Sequence, residues 1–143
     1  VDSRGRLSPN SKLAQTATEQ PVWLLTSPAA DTKSLAALAA KGIKVLAISG
    51  APDRVDLAAA MKSLGDEGLT RVLVEGGATL ATALVEANLV DRLLWYRAPN
   101  VMGEGLSAVR ALPVARLDEM PRFEREGMTS LGDDTLETYR RAP

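Results

Sequence analysis

A chain of 143 residues, 45% hydrophobic and 24% charged, is long enough for one domain with a buried core and too short for two. Seventeen Lys+Arg against eighteen Asp+Glu leave a net charge of −1 with the basic residues scattered, so no nucleic-acid footprint is read. The sequence has neither Cys nor His, which excludes disulfides, thiolate nucleophiles, Cys/His zinc sites and histidine-based dyads.

Proton chemistry is thereby left to carboxylates, Lys, Tyr, water or a cofactor. The apolar runs are far too short to span a membrane and no charged-then-apolar leader opens the chain, so a soluble cytoplasmic domain is expected. The text begins in mid-phrase at Val1, VDSRGRLSP, which reads as a piece missing in front.

In chain order, Val1 to Asn10 reads as the tail of a strand and a turn, with Gly5, Pro9 and Asn10 as breakers. Val22 to Thr26, an apolar run between Pro21 and Pro28, is short and rich in β-formers, so it reads as a buried strand. Asp31 or Thr32 then caps a helix over about Lys33–Lys41, which Gly42 ends. Ile43 to Ile48 is the next buried strand. Asp56 caps a second helix whose Leu57, Met61 and Leu64 form one apolar stripe, stopped by Gly65 or Gly68.

Arg71 to Val74 reads as a third buried strand, running into Glu75-Gly76-Gly77 and a helix from about Ala78 to Ala87, with Asn88 as a left-handed terminator. Asp91 to Ala98 is a strand with Leu93 and Trp95 on one face and Leu94 and Tyr96 on the other. A Gly-containing loop spans Pro99 to Leu106. Arg122–Ser130 and Thr135–Arg141 flank the turn residues Leu131-Gly132-Asp133-Asp134 and read as an antiparallel hairpin on a sheet edge. Alternating strands and helices imply a mostly parallel sheet finished by antiparallel strands, in one α/β domain.

The sharpest local feature is the passage from strand to helix through Glu75, Gly76, Gly77, Ala78, Thr79 and Leu80. Ligands of open parallel sheets bind at the carboxyl ends of strands. A helix start presents unpaired N–H groups and the positive end of its dipole, which suits phosphate. Two glycines allow close backbone approach, and the Thr79 hydroxyl adds a donor. The same residues also suit a plain turn with Thr79 as cap, and neither GxGxxG nor the P-loop pattern is present. Glu75 stands where a ligand's donors would be met, or is simply an exposed carboxylate. Asp2-Ser3-Arg4 is a second cluster, or an ordinary Asx-type turn. Trp23, Trp95 and Tyr96 read as core or interface. The pairs Asp53/Asp56 and Asp133/Asp134 read as caps and turns, and no metal is expected.

These segments resemble the reductase domain of bifunctional riboflavin-biosynthesis deaminase/reductases. VDSRGRLSPNSKL is similar to that family's V-D-S-x-x-R-x-P…S-K-L segment, and LGDDTLETYRR to its final hairpin. RVLVEGGATLATALVEANLVDRLLWYRAPNVMG follows the family's core string nearly position for position. The resemblance covers essentially the whole chain, and the long EGG–TLA…LVD…Y–AP–G string is far more specific than a glycine pair.

The resemblance implies a dihydrofolate-reductase-like three-layer α/β/α fold and NADPH-dependent reduction of the ribosyl group of 5-amino-6-(5-phosphoribosylamino)uracil to the ribitylamino product. It implies that Ser3, Gly76, Gly77, Ala78, Thr79 and Leu80 contact NADPH and that Glu75 binds the phosphorylated pyrimidine substrate. No catalytic residue is assigned. The family's domain opens with a further strand–helix–strand portion, so residues 1–143 are expected to be the C-terminal two-thirds of one reductase domain, without its front strands and without the zinc deaminase domain. Exposed apolar surface, a homodimer and a fragment unable to turn over alone are the expected consequences. The alternatives are a stand-alone reductase of archaeal or fungal type acting on the diaminopyrimidine, and a non-catalytic nucleotide-binding or dimerisation module of the same fold.

Overall fold

The computed structural model describes residues 1–142. It comprises two compact units, residues 1–72 and the residues from Leu73 onward.

In the first unit, α1 (Lys12–Gln15) is a single turn capped by Ser11. β1 (Trp23–Thr26) and β2 (Lys44–Ala47) pair in parallel, Trp23 opposite Lys44 and Thr26 opposite Ala47. Between them runs α2 (Thr32–Ala39), and α3 (Leu57–Asp66) follows β2. Successive strand residues face opposite ways, and this splits the core in two. Leu24 packs with Ala14, Ala17, Leu38 and Ile43, whereas Leu25 packs with Ile48, Val55, Ala60 and Leu64. Helices α1 and α2 thus contribute to the cluster on one side of the strand pair and α3 to the other, the layered arrangement expected.

The caps are those the side chains favour. Asp31 accepts from the Ser34 N–H at 2.9 Å, and Asp56 from the Ala59 N–H at 2.9 Å. Gly42 and Gly68, at φ +88° and +90°, take the left-handed turn that returns the Ile43 and Leu69 amides to the carbonyls of Leu38 and Leu64. The start of the chain lies along the end of β1 through two bonds, Asp2 N–H to Leu25 O at 2.9 Å and Ser27 N–H to Ser3 O at 3.1 Å. The expected strand tail is therefore an extended flank with two bonds, not a full ladder.

In the second unit, α4 (Ala78–Glu86) ends at Asn88, whose φ of +57° returns the Leu89 amide to Leu84 O. β3 (Arg92–Arg97), β4 (Phe123–Leu131) and β5 (Asp134–Arg141) form an antiparallel sheet in the order β3-β5-β4. The hairpin forms as expected, with an irregularity between Arg125 and Gly127. Of the hairpin's two strands, however, β4 is at an edge and β5 is central, because β3 pairs with β5 from Arg92↔Arg140 to Arg97↔Thr135 and forms the other edge. The connection after β3 holds one short 3-10 turn, Leu117–Glu119. It is fastened to α4 where the Arg110 N–H donates to the buried Thr82 hydroxyl at 2.7 Å.

One expected element is absent. Arg71–Val74 is not a strand, and among the described residues no backbone hydrogen bond reaches residues 70–76. Val72, Leu73 and Val74 are exposed, Leu73 by 72%. A ladder needs a second segment to exchange N–H and C=O groups with, and no such exchange is made here. The parallel component is consequently one pair of strands, separate from the antiparallel sheet. Leu94, Tyr96 and Met128 are further exposed apolar side chains, in line with the apolar surface expected.

Candidate functional site

In the first unit the sequence-marked Ser3 sits at the carboxyl end of β1. Its carbonyl accepts from the Ser27 hydroxyl at 2.7 Å as well as the Ser27 amide, and its own hydroxyl accepts from the Val55 N–H at 3.3 Å. One half-buried serine thus joins the start of the chain, the end of β1 and the loop before α3. The buried Ser27 hydroxyl also lies 2.7 Å from Pro52 O, so its single proton is shared between two carbonyls. Asp2 makes the Asx-type turn foreseen for this cluster, its Oδ2 accepting from the Leu7 N–H at 2.8 Å. A groove of about 680 Å³ opens here, lined by Asp2, Ser3, Arg4, Arg6 and Asp53 among others.

In the second unit Glu75, Gly76 and Gly77 are exposed and lead directly into α4. Gly77 is the N-cap, with no side-chain cap hydrogen bond, so Thr79 does not cap the helix. Gly77 O accepts from the Leu80 N–H at 3.0 Å and the Ala81 N–H at 3.1 Å. Among the described residues the amides of Gly77, Ala78 and Thr79 have no hydrogen-bond acceptor. The two glycines differ sharply. A Cβ on Gly76 would come within 2.8 Å of Leu80 Cδ2, whereas one on Gly77 would meet nothing within 4 Å. Gly76 is accounted for by packing against Leu80. Gly77 is bare although the chain itself leaves room for a side chain. Ala78 and Leu80 are half-buried, and the Thr79 side chain is exposed.

The second unit also holds a polar cluster that the sequence did not mark. Glu137, on the central strand, is 8% exposed and lies 3.3 Å from Arg97 Nη2. The Tyr139 hydroxyl donates to its other oxygen. That bond raises the Tyr139 pKa above the ordinary tyrosine value, because a phenolate there would lose the bond and face a carboxylate; burial acts in the same direction. The available signal was the alternation Thr135, Glu137, Tyr139, which puts three polar side chains on one face of the strand. With both oxygens engaged, Glu137 ties β3 to β5. Ser27 and Thr82 were also missed; each is a buried polar residue whose hydroxyl is hydrogen-bonded. Among the described residues no three Asp or Glu side chains converge as metal ligands.

Solved structures share this architecture. Acinetobacter baumannii RibD superposes with a TM-score of 0.74 at 24% identity, covering 99% of this chain and 36% of that one. The Saccharomyces cerevisiae riboflavin biosynthesis reductase Rib7 does so with a TM-score of 0.64 at 16% identity, covering 99% and 67%. The fold is thus the α/β, dihydrofolate-reductase-like class. The model of the RibD C-terminal domain matches residues 1–136, and the chain belongs to that family. Among curated relatives, the riboflavin biosynthesis protein RibD of Haemophilus influenzae is 31% identical over 97% of this chain. That of Escherichia coli is 30% identical over 94%. The chain spans about a third of the length of each, 35% in both cases.

Proposed function

We propose that this chain is the reductase portion of a riboflavin-biosynthesis enzyme, reducing the ribosyl group of 5-amino-6-(5-phosphoribosylamino)uracil with NADPH. Family membership supports the reaction class. The observation that carries the reading is the turn into α4: three amides without acceptors, at the positive end of a helix, behind a glycine whose missing side chain the chain does not require. α1, α2 and α3 are each capped by a side chain, from Ser11, Asp31 and Asp56, and α4 alone among these helices is left bare.

These residues fit a dinucleotide pyrophosphate. Gly77, Ala78 and Thr79 donate backbone N–H groups to phosphate oxygens, the exposed Thr79 hydroxyl adds a donor, and Gly76 and Leu80 hold the turn in shape. Ser3 is a further cofactor contact, its hydroxyl proton being free to donate while the oxygen accepts from Val55. When bound, NADPH supplies the hydride, and the protein's part is to hold and orient. Glu75, exposed at the entrance to the turn, accepts hydrogen bonds from the pyrimidine or ribosyl donors of the substrate.

The same reading takes residues 1–143 as parts of one reductase domain, supported by a single family match running across residues 1–136. It takes the protein as a cytoplasmic homodimer; among the described residues no helix is long and apolar enough to cross a membrane. An NADPH titration of the 143-residue chain, followed by fluorescence with NADH as control, tests the cofactor assignment. Saturable binding that prefers NADPH is expected, and no binding of either nucleotide would refute it.

A further inference from the structure

We infer that Ser27 is a positioning residue for the cofactor contact at Ser3: its buried hydroxyl fastens the loop before α3 to the start of the chain, and the Ser3 hydroxyl is thereby held in one orientation. Ser27 itself touches no ligand, and the inference rests on the cofactor reading of Ser3 above. Ser27 follows β1 directly and is 2% exposed. Its Oγ lies 2.7 Å from Ser3 O and 2.7 Å from Pro52 O.

The two acceptors are unequally served. Ser3 O also receives the Ser27 N–H at 3.1 Å and the Thr26 hydroxyl at 3.3 Å, whereas Pro52 O has no other donor among the described residues. Removing the Ser27 hydroxyl therefore leaves Ser3 O bonded and Pro52 O orphaned.

The loop that carries Pro52 also presents the Val55 amide to Ser3. The Val55 side chain, buried beside Leu25 and Ile48, anchors the far end of that loop, and the Ser27 bond fixes the near end. The Arg54 N–H bond to Ala51 O is internal to the loop, and the Arg4–Asp53 pair, 3.8 Å apart between exposed side chains, adds little. Held in this way, the Val55 N–H donates to Ser3 Oγ at 3.3 Å. A serine hydroxyl has one proton and rotates to suit its partners. With Val55 on its oxygen, Ser3 keeps that proton for an acceptor outside the chain.

The test is a double-mutant cycle on the 143-residue chain: Ser27→Ala, Ser3→Ala and both together. Leu38→Val, in the core cluster on the other side of the strand pair, is the control for lost stability alone. NADPH binding is followed by fluorescence at a temperature below every melting transition, and Val55 amide exchange by NMR. Ser27→Ala is expected to speed Val55 exchange and to weaken NADPH by roughly 3- to 10-fold, the range of one neutral hydrogen bond. In the Ser3→Ala background the same change should cost no further affinity, because the group it positions is gone. Ser27→Cys keeps a weak donor and should fall between the parent and Ser27→Ala; it carries the cycle if the alanine variant does not fold.

Parental NADPH affinity or unchanged Val55 exchange in Ser27→Ala overturns the inference alone, as do losses that multiply in the double variant or an equal loss in Leu38→Val. Parental affinity in Ser3→Ala, or a parent chain that binds no NADPH, removes the cofactor reading of Ser3 and the inference together.

Discussion

Gly77→Ser separates the structural from the binding role of the turn, because the two predict opposite signs. As N-cap, a serine would accept from the Thr79 or Leu80 amide and give α4 the side-chain cap it lacks, stabilising the helix by a few tenths of a kcal/mol relative to glycine. Nothing lies within 4 Å of the position its Cβ would take, so no clash offsets that gain. The same Cβ and hydroxyl fill the approach to the amides and compete for one of them. Losing a single charge-assisted hydrogen bond to phosphate costs about 1.5–3 kcal/mol, roughly 10- to 100-fold in affinity.

Gly76→Ala is the mirror experiment. Its Cβ would stand 2.8 Å from Leu80 Cδ2 and 3.3 Å from Leu80 Cβ, so the side chain must shift, at about 1 kcal/mol of stability. Thermal melting and NADPH titration on both variants read the two quantities side by side. Gly77→Ser should melt no lower than the parent and bind NADPH more weakly. Unchanged NADPH affinity in Gly77→Ser would refute the phosphate role of this turn, as would affinity losses in both variants that simply track their melting temperatures.

Glu75→Gln keeps the shape and removes the charge, so in the complete protein substrate affinity and turnover should fall by roughly 10-fold or more while NADPH affinity holds; parental turnover would remove Glu75 from the site. Leu38, 0% exposed among Ala14, Ala17, Leu24 and Ile43, should cost about 2–5 kcal/mol when cut to alanine, read as a lower urea midpoint. The Tyr139 pKa is raised in the folded protein, so its contribution to stability is complete below the ordinary tyrosine pKa and is lost as pH climbs through the raised value. Denaturant midpoints should accordingly fall more steeply above about pH 10 in the parent than in Tyr139→Phe, and parallel curves would show that the bond to Glu137 does not couple to folding.

Much of the helical structure and of the first unit was legible because its signals are local. Asp31 and Asp56 were readable as caps, and Gly42, Gly68 and Asn88 as terminators, since each needs only its own neighbours in sequence. The Leu24 and Leu25 pair marked a strand buried on both faces, and the two clusters follow from it. The groove residues were half visible. Asp2, Ser3 and Arg4 stood out as a cluster, but Asp53 joins them from 49 positions beyond Arg4, and no local pattern encodes that meeting. Glu137 and Thr82 escaped for a related reason: a polar residue reads as solvent-facing until its partner is known, here Arg97 across β3 and β5 and the Arg110 amide.

The one strand that failed shows where sequence reading reaches its physical limit. Val72-Leu73-Val74 carries the same apolar signal as the run Val22–Thr26, yet only the latter contains a ladder strand, Trp23–Thr26. A helix satisfies its backbone within its own segment, so α4 forms directly after Gly77 whatever else is near. A strand is a property of two segments, and its propensity is a preference for a surface that something else must supply. Among the described residues, 70–76 exchange no backbone hydrogen bonds, and their exposed valines and leucine keep the preference without the structure. The helix start proposed to take the phosphate is therefore encoded by its own residues, whereas the ladder in front of it is not. Nucleotide affinity in Gly77→Ser consequently reports on the turn itself, independently of whether residues 71–74 are paired.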